Sequence, residues 1–298
     1  MTRTGRMRYE IMMKEILCRM RKIVPATAAV MAAAVLLAGC REERAGDGPA
    51  YDFSVYAFSA GAADAFLIST PGANVLIDCG EKNDGDDIGA YLEKRGITKL
   101  DKLIITHFDK DHIGGVPAVT KKVKIDEVLQ SDEPKDSKTY ARYMEALDQA
   151  GIRPKTLTED KDISFELDGA KYEVDAPKGG YDDDESNNSS LIVSVTYGGK
   201  KLLFMGDAED ERIEEYLEDQ NGPYDYLKVP HHGRSKETMQ DLIDRVQPKT
   251  AVITSSLEER EDDDVVDILK RSGAEVFLTR KGPVMTVLEG GELETGYR

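Results

Sequence analysis

Each of the four histidines in this chain stands just after an apolar run that reads as a β-strand. His107 and His112 follow "KLIIT", while the adjacent pair His231 and His232 closes "LKVPHH". A fold that makes sense of this pattern brings two remote strand termini to one shared edge. In layered α/β proteins, binding and catalytic groups gather there.

The rest of the pattern supplies such layers. Apolar runs suited to strands, "YDFSVYAF", "AFLIST" and "NVLIDC", precede a helical stretch at 86–95 and the strand at 102–106, followed by helices at 114–122 and 137–150. A second series repeats the order, with strands near 163–167, 171–175, 190–197 and 200–205, and a helix near 208–219. The strand at 224–229 and helix at 236–246 come next, then the strand at 250–254, the helix at 263–272 and closing strands at 275–279 and 283–288. Two strand-rich halves, each with helices, predict an α/β fold of two sheets packed face to face with helices outside. With 298 residues the chain can bury a large core. The acidic runs "DDDE" (182–185) and "EEREDDD" (258–264) read as solvated loops, and Asp262 to Asp264 suit a helix start.

The N-terminus belongs to a different regime. Residues 1–40 hold seven of the 40 Lys and Arg residues and two of the 57 acids, then the apolar "VPATAAVMAAAVLLAG" ends at Cys40. Sixteen such residues are short for a bilayer span and suit the apolar region of a signal peptide. "LAGC" at 37–40 resembles the lipobox of bacterial lipoproteins, which implies lipidation at Cys40 and a mature protein anchored on the extracytoplasmic side of the membrane. The stretch from Met20 is a complete signal by itself, so initiation at Met20 is expected. Residues 41–50, charged and without periodicity, read as a flexible tether, and residues 51–298 as the folded domain. Cys79 alone of the three cysteines remains in that domain, so no internal disulfide forms, and its place after "VLID" marks a buried strand end.

Beyond position 40, 33 basic residues face 55 acids, leaving a charge of -22 on the domain. Such a surface repels polyanions at long range and gives no general grip on nucleic acid. Against this background "THFDKDHIGG" (106–115) places His107, Asp109, Asp111 and His112 within six positions. Imidazole and carboxylate are ligands for zinc, manganese and similar ions, and so dense a group needs a cation among its charges. The strand "KLLFMGD" (201–207) ends at Asp207, whose carboxylate is a bridge candidate between two ions. No glycine-rich phosphate cradle, dinucleotide fingerprint or nucleophile elbow occurs.

The run from His107 to Gly115 resembles the signature of the metallo-β-lactamase superfamily, in the HxDxDHxGG variant of the hydrolase domain of ComEC-type bacterial DNA-uptake proteins. "VLIDCG" (75–80), "NNSSLIVSVTYGGKKLLFMGDAE" (187–209) and "LKVPHHGRS" (227–235) resemble the same branch in the same order. The resemblance implies an αββα four-layer sandwich holding one or two divalent ions, zinc with manganese as the alternative. By position, one ion takes His107 and Asp109 and the other Asp111 and His112, with Asp207 bridging. One of His231 and His232 completes the second site and the other touches substrate: His231 is taken as the ligand and His232 as the catalytic contact. Asp111 would also orient the attacking water or receive a proton. Where relatives carry a third histidine for the first ion this chain has "NNSS", so Asn188 and Ser189, with Arg234, are expected to face substrate, and the first ion to be weakly held or absent. The branch's acidic opening loop is reduced to "FSAGAADA" (58–65), with Asp64 its one remaining acid, and "SSLEEREDDD" replaces an Asn and a His-Pro pair after the strand at 250–254.

The implied reaction is hydrolysis of a phosphodiester by metal-activated water, on a small molecule or an envelope polymer that needs less basic surface than duplex DNA. The alternatives are β-lactam or lactone hydrolysis, and a non-catalytic metal-binding surface lipoprotein. Structural zinc sites are closed by four protein ligands, whereas this array mixes carboxylates with room for water, which favours the enzyme.

Overall fold

In a computed structural model, residues 51–158, 162–179, 181, 186–219 and 222–298 are described. The expected signal peptide, its Cys40 and the tether lie outside them, as does the run 182–185.

Strands β1 (Ser54–Ala57), β2 (Phe66–Ser69) and β3 (Asn74–Ile77) open the fold as an antiparallel meander. Helix α1 (Asp84–Lys94) then leads through β4 (Lys99–Leu100) to β5 (Lys102–Ile105), which pairs in parallel with β3. The one-turn α2 (Lys110–Ile113) and α3 (Val116–Lys122) precede β6 (Lys124–Ile125) and β7 (Val128–Gln130). Helix α4 (Lys138–Gln149) and β8 (Lys155–Thr156) complete this half.

The second half begins with the antiparallel β9 (Ile163–Leu167), β10 (Ala170–Asp175), β11 (Ile192–Tyr197) and β12 (Lys200–Phe204). Helix α5 (Asp210–Asp219), β13 (Tyr226–Lys228), α6 (Met239–Val246), β14 (Thr250–Ile253), α7 (Asp263–Arg271) and β15 (Glu275–Leu278) follow, and β13, β14 and β15 extend that sheet in parallel. The final hairpin, β16 (Val284–Glu289) and β17 (Glu292–Tyr297), departs from a simple two-half division. It returns to the first sheet, where β16 pairs with β1, giving the order β17-β16-β1-β2-β3-β5-β7-β8 against β15-β14-β13-β12-β11-β10-β9.

Strand alternation builds the layers. Leu202 and Phe204 of β12 point into a core between the sheets with Phe66, Ile104, Val193 and Tyr226, while Leu203 and Met205 point outward under α5, α6 and α7. Ile88 and Leu92 of α1, Val119 of α3 and Tyr143 and Leu147 of α4 cover the other outer face. Three apolar layers between four structural ones make the αββα sandwich. Parallel strands covered on both faces explain why "KLIIT" and "KLLFM" are continuous apolar runs.

Candidate metal centre

The carboxyl ends of β3, β5, β12, β13 and β14 meet at one edge of the sandwich, and each delivers a polar side chain. β3 delivers Asp78, in a left-handed conformation (φ 56°) that Asp tolerates better than most residues. β5 leads to Thr106 and His107. Asp109 then starts α2 with extended backbone, and the helix turn presents Asp111 and His112. Gly115 lets this turn lie against α1: a Cβ there would intrude on the Cys79 carbonyl oxygen and stand 2.9 Å from Gly85 Cα. The loop is fixed further by Cys79 N–H donating to His112 O (2.8 Å) and Asp64 N–H to Asp111 O (3.1 Å).

β12 ends in Gly206 (φ 54°), where a Cβ would meet Ser190 Oγ at 2.9 Å, and then Asp207. After β13 the backbone coils left-handed through His231 (φ 45°), His232 (φ 53°) and Gly233 (φ 73°). Non-glycine residues in this region cost about 1–3 kcal/mol each, and such strain concentrates at functional sites.

Four of these side chains converge. Ligand atoms of Asp111, His112, Asp207 and His232 all lie within 4.8 Å of one another. Asp207 Oδ2 is 3.2 Å from His112 Nε2 and 3.0 Å from His232 Nε2, and Asp111 Oδ2 is 3.2 Å from His232 Nε2. The Nε2 atoms of His107 and His112 are buried without an aligned hydrogen-bond partner among the described residues. Buried ring nitrogens without partners, facing carboxylates, are the donor set that a divalent cation satisfies.

The far side of each imidazole fixes its tautomer. Asp78 accepts from Thr106 N–H (2.9 Å) and Thr106 Oγ1 (2.7 Å), and its Oδ2 lies 2.8 Å from His112 Nδ1. A carboxylate only accepts, so the His112 proton sits on Nδ1 and the Nε2 lone pair faces the cluster. On His232 the logic runs through a hydroxyl: Thr254 Oγ1 donates to Asp64 Oδ1 (2.7 Å). Its single proton is thereby committed, so His232 Nδ1, 2.8 Å away, donates to it and Nε2 again faces inward. Such outer partners orient metal-binding histidines generally.

Charge balance gives the same reading. Lys228, 1% exposed, forms an ion pair with Asp64, lies 3.2 Å from Asp207 Oδ1 and donates to Gly206 O at 2.6 Å. Burial works against ionisation of Asp207, but His232, His112 and Lys228 outweigh it and hold the carboxyl well below its ordinary range. Burial also disfavours the charged form of His232, yet Asp207 and Asp111 raise it to about 9. His112 is likewise driven upward by Asp207 and Asp78 against the effect of burial. With no cation bound, protons on both nitrogens of these rings supply the positive charge the acids demand; a cation would displace the Nε2 protons and leave those on Nδ1. In His107 burial prevails, with repulsion from His112, and it falls to about 3. Asp64, Asp78 and His112 also lie close together, but Lys228, Thr106 and Thr254 already partner them, so they support the imidazoles.

The structure therefore brings together Asp111, His112, Asp207 and His232 and leaves the other site residues singled out by sequence apart from them. His232 takes the place expected of His231. The left-handed turn carries His231 away, with its Nδ1 2.9 Å from Glu209 Oε1 and its side chain 24% exposed against 8% for His232. Asp109 is turned from the four-residue group and binds Lys135 and Ser186. His107 lies beside His112, ring centroids 4.0 Å apart and planes tilted by 53°, but is not one of the four.

Asn188 and Ser189, expected to face substrate, are buried at 0% and 1%. Asn188 Oδ1 accepts from Glu209 N–H (3.0 Å) at the start of α5, and Ser189 Oγ donates to Ser186 O (2.7 Å), so both hold the turn. Arg234 donates to Arg260 O (2.8 Å) and flanks Asp262, which fixes it to the loop before α7. Sequence reading missed Asp78, Thr254 and Lys228; a lysine or aspartate ending an apolar run was the available signal.

Residues 59–255 match the metallo-beta-lactamase superfamily model. The ComE operon protein 3 of Bacillus subtilis is 32% identical over 198 residues, covering 63% of this chain and 24% of that protein. Recombination protein 2 of Haemophilus influenzae is 28% identical over 196 residues, covering 64% of this chain and 23% of its own length. The chain thus spans about a quarter of these curated relatives. Among solved structures, the metallo-beta-lactamase fold protein YhfI from Bacillus subtilis has a TM-score of 0.52 at 12% identity, covering 82% of this chain and 100% of that one. The matched family, the shared sandwich and the acid and imidazole cluster at its strand ends agree: the chain belongs to the metallo-β-lactamase superfamily, whose fold is that of metal-dependent hydrolases.

Proposed function

We propose that this protein is a phosphodiesterase that works with a divalent cation, zinc or manganese, and is held by a lipid on Cys40 at the extracytoplasmic face of the membrane. The observation that carries the reading is the convergence of Asp111, His112, Asp207 and His232 with both imidazole Nε2 atoms facing inward. A divalent cation held there would supply an acidified water and a positive charge facing the oxygen under attack.

The chain's own residues do the rest. Asp78 and Thr254 keep His112 and His232 in the required tautomers. Lys228 keeps Asp207 ionised in a dry environment. Asp111, 19% exposed, is the member of the four that meets solvent best, which places it to orient the attacking water.

The preference for a phosphate ester draws on charge on the outer side of α2, in a cavity that none of the four convergent residues lines. A cavity of about 390 Å³ beside α2 is lined by Lys82, Lys110, Lys121, Lys122 and Arg142 against two acids, Glu81 and Asp86. Lys110 is itself paired with Glu81. On an otherwise acidic domain this local excess of cations favours an anionic substrate.

The test is a screen of the purified chain with manganese or zinc against bis(p-nitrophenyl) phosphate, single-stranded DNA and nitrocefin. Hydrolysis of the first two, lost in Asp111→Ala and His112→Ala, is expected; hydrolysis of nitrocefin alone would overturn the phosphodiester reading.

A further inference from the structure

The position beside the four-residue group is already occupied by this chain's own charge. Asp109, from the N-terminus of α2, accepts from Ser186 Oγ at 2.9 Å and is ion-paired to Lys135, whose Nζ also donates to Ser186 Oγ at 3.1 Å. Lys135 comes from the connection between β7 and α4, and Ser186 from the turn before β11, so three separate segments build this contact.

The other groups a second cation would use are committed or too few. His107 offers one nitrogen, Nε2, because its Nδ1 faces Thr106 Oγ1 (3.2 Å) and Ser190 Oγ (3.4 Å). Asp207 turns Oδ2 to His112 and His232 and Oδ1 to Lys228. Where a third ligand would enter, Asn188 is buried and caps α5. Among the described residues, neither group of three or more convergent ligands includes His107 or Asp109.

A dication needs about four ligands to replace its water, whereas an ammonium needs only acceptors for its three N–H groups. Two such acceptors are in place. We propose that the chain binds a single divalent cation, at Asp111, His112, Asp207 and His232, and that the Lys135 ammonium supplies the positive charge at the adjacent His107–Asp109 position. This rests on the metal reading above. Lys135 is 40% exposed on its side chain, so its third N–H remains available to a substrate oxygen.

The experiment counts ions in the full chain, stripped with chelator, then titrated with Mn2+ and read by electron paramagnetic resonance of the unbound ion. One equivalent is expected for the wild type and two for Lys135→Met, which keeps length but removes charge; Lys135→Ala serves as a second variant, with circular dichroism to verify folding. Asp109→Asn combined with Lys135→Met should return the count to one. Two equivalents of similar affinity in the wild type would overturn the proposal, as would an unchanged count of one in both Lys135 variants. No bound ion in any form would instead remove the metal reading beneath it, so the two failures are distinguishable.

Discussion

Replacing Asp78 with Asn should weaken metal binding without touching a residue of the four-membered group. Asp78 is fully buried, accepts three hydrogen bonds and sits at φ 56°, a conformation that Asn also tolerates. Backbone geometry is therefore preserved while the acceptor facing His112 Nδ1 becomes an amide. Its NH2 group can donate to Nδ1, which moves the ring proton to Nε2 and directs a donor toward the cation. Outer partners of metal-binding histidines contribute about 10–100-fold in affinity. Here the tautomer itself is at stake and no water replaces the carboxylate, so the upper end applies, about 2.8 kcal/mol for 100-fold. Thr254→Val removes only the hydroxyl relay to Asp64, and the lower end, about 10-fold, is expected. Calorimetric titration of stripped protein with Mn2+ measures both, and melting of the metal-free forms separates affinity from folding. A dissociation constant within about twofold of wild type for Asp78→Asn, in a protein that still folds, would refute the tautomer argument.

Other consequences follow from the same geometry. Metal-free protein should lose stability as pH rises from about 6.5 through about 9, because His232 carries a folded-state value of about 9, above its ordinary 6.5. That contribution is complete below the unfolded value and vanishes above the folded one; melting curves across this interval check it, and added Mn2+ should reverse the loss. Binding at pH 7 should then release protons, seen as a buffer-dependent calorimetric enthalpy. Gly115→Ala should destabilise by about 3 kcal/mol or more in urea titrations, since its Cβ has no space beside Cys79 O and Gly85. Phe204→Ala, in the layer between the sheets at 1% exposure, should cost about 3–5 kcal/mol while leaving Mn2+ stoichiometry at its wild-type value. Cys40→Ser should move the protein from the membrane to the soluble fraction after cell disruption.

Much of this arrangement is legible in the sequence because strands buried on both faces announce themselves as uninterrupted apolar runs. The ends of "KLIIT", "KLLFM" and "YLKV" thus locate His107, Asp207 and the histidine pair before any fold is known. What is not legible depends on directions that spacing does not encode. Which of His231 and His232 enters the cluster is set by three successive positive φ angles and by Thr254 across the sheet. The amide and hydroxyl groups of "NNSS" look the same whether they meet a substrate or cap a helix, and burial decides for the cap. Lys228 reads as the boundary of an apolar strand, although its ammonium lies between two acids. The hairpin strand Glu292–Tyr297 is half-exposed and polar, so its return to the first sheet leaves little trace in hydropathy.

The central claim is that Asp111, His112, Asp207 and His232 hold a divalent cation. Diffraction from crystals soaked in Mn2+, collected at a wavelength where manganese scatters anomalously, tests it most directly. The account predicts a single strong anomalous peak within about 2.5 Å of His112 Nε2, His232 Nε2 and an oxygen of Asp207. A fully soaked crystal with no peak there, or with its peak at Asp64 and Asp78 instead, would contradict it.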